Sequence, residues 1–158
     1  GAGIQAGAGD RVRAAGAGKK TYFAQFVKGM HYCELDSLKR FPEIEIHQFG
    51  LDCFIVNEPT QKDIDAARHG LKTVSAIISN KQYDVIILDE ICIALHYKLF
   101  SMDEFLDVLK LKPDETEIVM TGRYATQQLI DVADLVTEMK EVKHYYSCGV
   151  EARKGIEF

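Results

Sequence analysis

Apolar positions fall into five short runs, at 21–26, 44–49, 85–88, 117–121 and 135–139, each too brief for a helix and rich in the branched and aromatic side chains that suit strands. Between them the spacing changes. Ile64, Ala67, Leu71, Val74, Ile77 and Ile78 recur at steps of three and four, which predicts a helix with one apolar face. Its start is marked by Pro59-Thr60, with Asp63 three residues on as the capping partner. Ser101 and Glu104 repeat that signal ahead of Phe105, Leu106, Val108 and Leu109. A third helix is predicted over 126–133, with Leu129, Ile130 and Ala133 facing inward. Strands that alternate with helices, and are almost wholly apolar where central, predict an α/β fold: helices on both faces of a mainly parallel sheet, in three layers. With neither an internal repeat nor a long linker, residues 1–158 read as a single domain.

Composition narrows the partners. A net charge of −5 and a pI near 5.5 exclude sequence-independent attachment to nucleic acid or anionic lipid, which needs a basic surface. Cys33, Cys53, Cys92 and Cys148 show no C-x-x-C spacing, so neither a zinc site nor a disulfide framework is expected. Reduced thiols, the lack of any 18-residue apolar run and the lack of a leader-like order at the N-terminus lead us to expect a cytoplasmic protein with no membrane partner.

In parallel α/β sheets ligands bind where the strands end at their carboxyl side, so polar residues there are informative. Gln25 and Lys28 follow the first run, Asp89 and Glu90 the third, and Thr121, Gly122 and Arg123 the fourth. Two adjacent carboxylates can hold Mg²⁺ directly or through its waters, and an arginine beside them can pair with phosphate oxygens. That set suits a nucleoside triphosphate. The plainer alternative is that Asp89 and Glu90 end a strand and cap the next helix, and that Arg123 makes a surface ion pair. His31, His47, His69 and His96 read as surface or satisfied core residues, and Cys92 as core.

An ordered set of motifs runs through most of the chain: Arg13-Ala-Ala-Gly-Ala-Gly, Gln25-Phe-Val-Lys28-Gly29, Tyr83-Asp-Val-Ile-Ile-Leu-Asp89-Glu90 and Thr121-Gly122-Arg123. It continues with Ala133-Asp134-Leu-Val-Thr-Glu138-Met, Val142-Lys143-His144 and Gly149-Val-Glu-Ala-Arg153-Lys-Gly155-Ile-Glu157-Phe158. This set resembles the P-loop corrinoid adenosyltransferases, also called cob(I)alamin adenosyltransferases. The resemblance implies a sheet of the P-loop nucleoside triphosphate hydrolase (RecA-like) type. It also implies transfer of the 5′-deoxyadenosyl group of ATP to the cobalt of cob(I)alamin, with release of triphosphate, in adenosylcobalamin synthesis or salvage. By similarity Glu90 and Arg123 carry the catalytic roles, Asp89 and Glu90 hold Mg²⁺ or Mn²⁺, and Gly9, Arg13, Gln25, Lys28, Thr121, Gly122 and Arg123 bind ATP and its phosphates. Phe54 and His144 would face the corrinoid, although Phe54 reads equally well as a core residue. The family further implies a homodimer and a cobalt-reducing flavoprotein partner.

One departure is plain. Where the family carries Lys-Gly-Lys-Thr-Thr, this chain has Gly1-Ala2-Gly3-Ile4-Gln5, and residues 1–12 read as an aberrant phosphate loop, poor in helix-forming side chains. Glycine-rich backbone can still offer N–H groups to phosphate. A noncatalytic relative that binds corrinoid or nucleotide, and a generic nucleotide hydrolase in which Glu90 activates water, therefore stand as alternatives.

Overall fold

Four of the apolar runs pair into one parallel sheet in the order β3-β2-β4-β5: β2 is Thr21–Phe26, β3 Ile44–Phe49, β4 Val85–Asp89 and β5 Glu117–Met120. The computed structural model describes residues 3–4, 7–51, 55 and 58–156, with side chains from residue 12 onward. β2 and β4 are central and buried on both faces, which is why TYFAQF and VIILD carry almost no charge before their last residue. The remaining elements are β1 (Gly3–Ile4), α1 (Gly7–Gly16), α2 (Cys33–Leu38), α3 (Gln61–Asn80), α4 (Ile91–His96), α5 (Met102–Leu109), β6 (Gly122–Arg123) and α6 (Gln127–Val132). A 3₁₀ turn over Tyr145–Cys148 follows them.

The sheet separates two cores. On one face Tyr22, Ala24, Phe26, Ile86 and Leu88 pack with Ala67, Val74 and Ile78 of α3, Ile91 of α4 and Phe105 of α5. On the other, Phe23, Val85 and Ile87 meet Ala14 and Ala15 of α1 and Leu35 and Leu38 of α2. The three-layer α/β architecture is as the hydrophobic pattern predicts.

Both predicted capping boxes form. The Thr60 backbone N–H donates to Asp63 Oδ2 at 2.8 Å and the Asp63 N–H to Thr60 Oγ1 at 3.4 Å. Ser101 and Glu104 repeat the exchange at 2.7 and 3.1 Å. Each such cap is worth about 1 kcal/mol.

Two readings change. Residues 135–138 are not strand: Leu135 and Val136 are 86% and 41% exposed, so this short apolar run covers no core. In α6 Leu129 is buried, but Ile130 faces solvent. The helix is six residues long, too short for a wide apolar stripe. α1 (Gly7–Gly16) starts inside residues 1–12 and runs past them, and its Ala14 and Ala15 pack on the sheet. Tertiary packing there outweighs the low helix propensity of its glycines.

Candidate functional site

Parallel register places four polar side chains in one row across the carboxyl end of the sheet. Gln48 of β3 lies beside Gln25 of β2, Gln25 beside Asp89 of β4, and Thr121 directly follows β5. Gln25 is completely buried. Its Nε2 donates to Asp89 Oδ2 at 2.9 Å, and Thr121 Oγ1 donates to Asp89 Oδ1 at 2.8 Å. The same threonine hydroxyl accepts from the Glu90 backbone N–H at 3.2 Å, so one side chain fixes both acids. The sequence suggests Gln25 as a phosphate contact lining the cleft. In the structure its amide bonds both Asp89 and Gln48, so the residue also holds an acid in place.

Glu90 has a different environment. It sits between β4 and α4 with φ 59° and ψ 21°, a left-handed conformation that few non-glycine residues adopt and that is commoner at functional sites. Val27, after β2, and Tyr124, after β6, are also left-handed, as are Lys81 and Lys98 after helices. Glu90 Oε1 pairs with Lys28 Nζ at 3.1 Å, and Lys28 lies 3.8 Å from Asp89 Oδ2. Burial alone would lower the Lys28 pKa, but the charges of Asp89 and Glu90 and the hydrogen bond to Glu90 together raise it above its ordinary value. The lysine is charged at neutral pH. The second carboxylate oxygen, Glu90 Oε2, is buried and has no hydrogen-bond partner among the described residues.

That orphan oxygen bears on metal binding. Mg²⁺ keeps several waters and is usually held through one or two carboxylates together with nucleotide phosphates. No group of three ligating side chains occurs among the described residues, so a cage made wholly of protein is excluded there. A pair of acids, one anchored and one with an open oxygen, fits a cation that arrives with a nucleotide. Gly122 keeps the space beside it open: at φ +132° a side chain would be strained, and a Cβ would lie 3.3 Å from Glu90 Oε2 and 3.0 Å from Cys92 Cβ.

Lys28 is positioned by backbone. A Cβ on Gly50 would come within 2.5 Å of the Lys28 nitrogen, and one on Gly29 within 2.6 Å of the Gly50 carbonyl oxygen. The loop after β2 and the loop after β3 therefore touch main chain to main chain, which only glycines permit. Gln48 adds a hydrogen bond to the Met30 carbonyl at 3.0 Å. Tyr32 lies under the ammonium, 5.4 Å from ring centre to Nζ.

A parallel sheet with a metal-competent acid pair at the end of a central strand is shared by many nucleotide enzymes, so the order of motifs along the chain decides between them. Residues 4–158 match the model of the family described as ATP:corrinoid adenosyltransferase BtuR/CobO/CobP. The chain belongs to that family. It is 34% identical over 148 residues to a corrinoid adenosyltransferase of Pseudomonas aeruginosa, covering 92% of this chain and 73% of the relative. A Sinorhizobium corrinoid adenosyltransferase is 35% identical over 138 residues, covering 85% and 64%. Corrinoid adenosyltransferase CobA of Salmonella typhimurium is 26% identical over 150 residues, covering 95% and 76%.

Of the residues that the corrinoid adenosyltransferase resemblance singled out, the structure brings Gln25, Lys28, Asp89, Glu90, Thr121 and Gly122 together. Arg123 follows directly, exposed, with its guanidinium 5.6 Å from the Tyr124 ring centre. Its backbone pairs antiparallel with Gly3, so the segment standing where the family has its phosphate loop runs beside the Thr-Gly-Arg turn. Gly9 lies in the first turn of α1. Arg13 lies in its last turn, at the end leading into the start of β2, away from the carboxyl ends where the acids sit. Phe54 lies outside the described residues. His144 caps the 3₁₀ turn, its Nδ1 accepting from the Tyr146 N–H at 3.0 Å. Sequence reasoning missed Gln48 and the Gly29–Gly50 contact. For Gln48 the usable signal was its place, the penultimate residue of a strand read correctly; Gly29 closes the motif that starts at Gln25, and for Gly50 there was no signal.

Cys92, next but one to Glu90, is buried, and burial first and the Glu90 charge second push its thiol up to about 11. It is expected to resist alkylation at neutral pH while exposed Cys148 reacts. Peptide mapping after iodoacetamide treatment of the native protein checks this, and equal labelling of the two would contradict it.

Proposed function

We propose that the protein transfers the 5′-deoxyadenosyl group of ATP to the cobalt of a reduced corrinoid, cob(I)alamin, with the nucleotide held at the Asp89–Glu90 end of β4. In this reaction cobalt(I) is the nucleophile and a substrate. Its electron pair forms the bond to C5′, the C5′–O bond breaks, and that electron pair leaves on the triphosphate, so cobalt is formally oxidised from I to III. The protein supplies no nucleophilic side chain and needs none. It has to hold C5′ in line with cobalt and stabilise charge on the departing triphosphate.

The observation that carries this reading is the asymmetry of the two acids within a chain of this family. Asp89 is fixed by Gln25 and Thr121, whereas Glu90 presents a buried oxygen with no partner among the described residues. Asp89 and Glu90 would hold Mg²⁺ or Mn²⁺, which when bound neutralises phosphate charge. Lys28 is a cation already held beside the acids and can turn to the triphosphate as the nucleotide arrives. Arg123 extends positive charge along the same edge. Gly9, in the first turn of α1, offers backbone near the phosphates, and Gly122 leaves room for them. Phe54 and His144 are the corrinoid-facing candidates, by resemblance to the family.

A homodimer and a cytoplasmic setting complete the proposal. Leu135, Val142 and Tyr146 are 86%, 95% and 70% exposed along the segment after α6, an apolar surface that a second copy would cover. Free Cys33, Cys92 and Cys148 suit a reducing compartment, and no described helix is long and apolar enough to cross a membrane. The reductant that delivers cobalt(I) would be a flavoprotein.

Product analysis separates this reading from hydrolysis. ATP incubated with Mg²⁺ is expected to stay intact without corrinoid and to yield triphosphate when cob(I)alamin is added. Steady release of ADP and orthophosphate without corrinoid would assign a hydrolase instead.

A further inference from the structure

We propose that Gln48, an exposed residue on edge strand β3, is a positioning residue for the metal–nucleotide site, acting through Gln25 on Asp89. This rests on the assignment of Asp89 and Glu90 to the metal-bound nucleotide.

The three residues are neighbours in the ladder, Gln48 beside Gln25 and Gln25 beside Asp89, so their side chains line up on one face. Gln48 Nε2 donates to Gln25 Oε1 at 2.8 Å and to the Met30 carbonyl at 3.0 Å. Gln25 Nε2 in turn donates to Asp89 Oδ2 at 2.9 Å. The row has a direction: Gln48 donates to Gln25, Gln25 accepts on that side and donates on the other, and the chain of donors ends on a carboxylate. A buried amide can sit in either of two orientations related by a flip. With its oxygen turned towards Asp89, Gln25 would set two acceptors against each other. Two features of Gln48 prevent this. The Met30 carbonyl takes one of its N–H groups and thereby orients its amide, and the other N–H then requires the Gln25 oxygen to face β3. The orientation of Asp89, and with it the spacing of the acid pair, is thus set from outside the site, on the loop that also carries Lys28.

Substitutions at Gln48 can reverse, keep or remove this polarity. Gln48→Glu is acceptor-only, so it should draw the Gln25 N–H groups towards itself and turn the Gln25 oxygen onto Asp89. Gln48→Lys is donor-only and keeps the direction. Gln48→Met keeps the shape and removes the bonds. Groups that orient metal ligands from behind typically contribute ten- to a hundredfold in metal affinity. The dissociation constant of the Mn²⁺–ATP complex, followed by the electron paramagnetic resonance of free Mn²⁺, should rise about tenfold or more for Gln48→Glu and less for Gln48→Met, and stay near wild type for Gln48→Lys. A simple charge effect predicts the opposite order, because an added carboxylate attracts the cation and an added ammonium repels it. That reversed order, or three variants equal to wild type, would overturn the proposal.

A second readout needs no metal. The Gln25 side-chain amide signals in a ¹⁵N spectrum of the apo protein should move markedly in Gln48→Glu and hold in Gln48→Lys; unmoved signals in Gln48→Glu would refute the relay. Failure of the wild-type protein to bind Mn²⁺–ATP would refute the metal assignment instead, with the amide spectrum still deciding the orientation of Gln25.

Discussion

Glu90→Ala is expected to remove Mg²⁺-dependent ATP binding while leaving the protein folded. Glu90 occupies a connection between β4 and α4, and its side chain makes one ion pair, to a lysine that keeps Asp89 as a second, more distant partner. The backbone bonds that hold the turn, Glu90 N–H to Thr121 Oγ1 and Thr121 N–H to the Leu88 carbonyl, do not involve the carboxylate. Stability should therefore change by no more than about 1 kcal/mol, the range of a partly exposed ion pair. Binding should change far more. Asp89 already accepts hydrogen bonds on both oxygens, so Glu90 supplies the open position, and losing a direct ligand should cost more than the hundredfold that losing a supporting group can cost. Calorimetric titration of ATP with and without Mg²⁺ checks this. An unchanged affinity in the presence of Mg²⁺ would place the cation elsewhere.

The second large effect is expected at a residue with no side chain. In Gly50→Ala the new Cβ would sit 2.5 Å from the Lys28 nitrogen and 2.6 Å from the Val27 carbonyl carbon. Both are main-chain atoms, at a point where Val27 already occupies a left-handed conformation. No rotamer can relieve the overlap, so the loop carrying Lys28 must move. Overpacking of this kind costs about 1–3 kcal/mol. Movement also withdraws the ammonium from Glu90 and strains the Gln48 bond to Met30. The variant should therefore lose stability to urea and also weaken nucleotide binding beyond what unfolding explains. A Gly50→Ala protein equal to wild type in both would mean that the two loops separate freely and that the contact does not position Lys28.

These two sites differ in how visible they are in the sequence. The acids announce themselves because a run of buried aliphatics that ends in two carboxylates has few uses, and the strand that bears them is apolar enough to be placed with confidence in the centre of a sheet. The capping boxes of α3 and α5 are equally local and equally legible. Gly50 and Gln48 act through contacts with segments about twenty residues away, and nothing in their own neighbourhoods marks them. Only the register of β2 against β3 brings Gln25 to Gln48. The misreading of 135–138 has the complementary cause: a short run with Leu135 and Val136 has the local look of a strand, but a strand also needs partners to pair with, and that is a property of the whole sheet. Likewise α1 forms from a glycine- and alanine-rich stretch because small side chains let a helix lie close to Phe23 and Ile87. The order of motifs, with the family match over residues 4–158, identifies the chemistry, and the hydrogen-bond row shows how this chain holds its acids.

The most direct test of the account is an anaerobic reaction of this chain with ATP, Mg²⁺ and chemically reduced cob(I)alamin, following the cobalamin spectrum and measuring triphosphate in the same samples. The account predicts that adenosylcobalamin and triphosphate form in equal amounts and that both disappear in Glu90→Ala. Corrinoid binding without a cobalt–carbon bond, at saturating ATP and Mg²⁺, would contradict it.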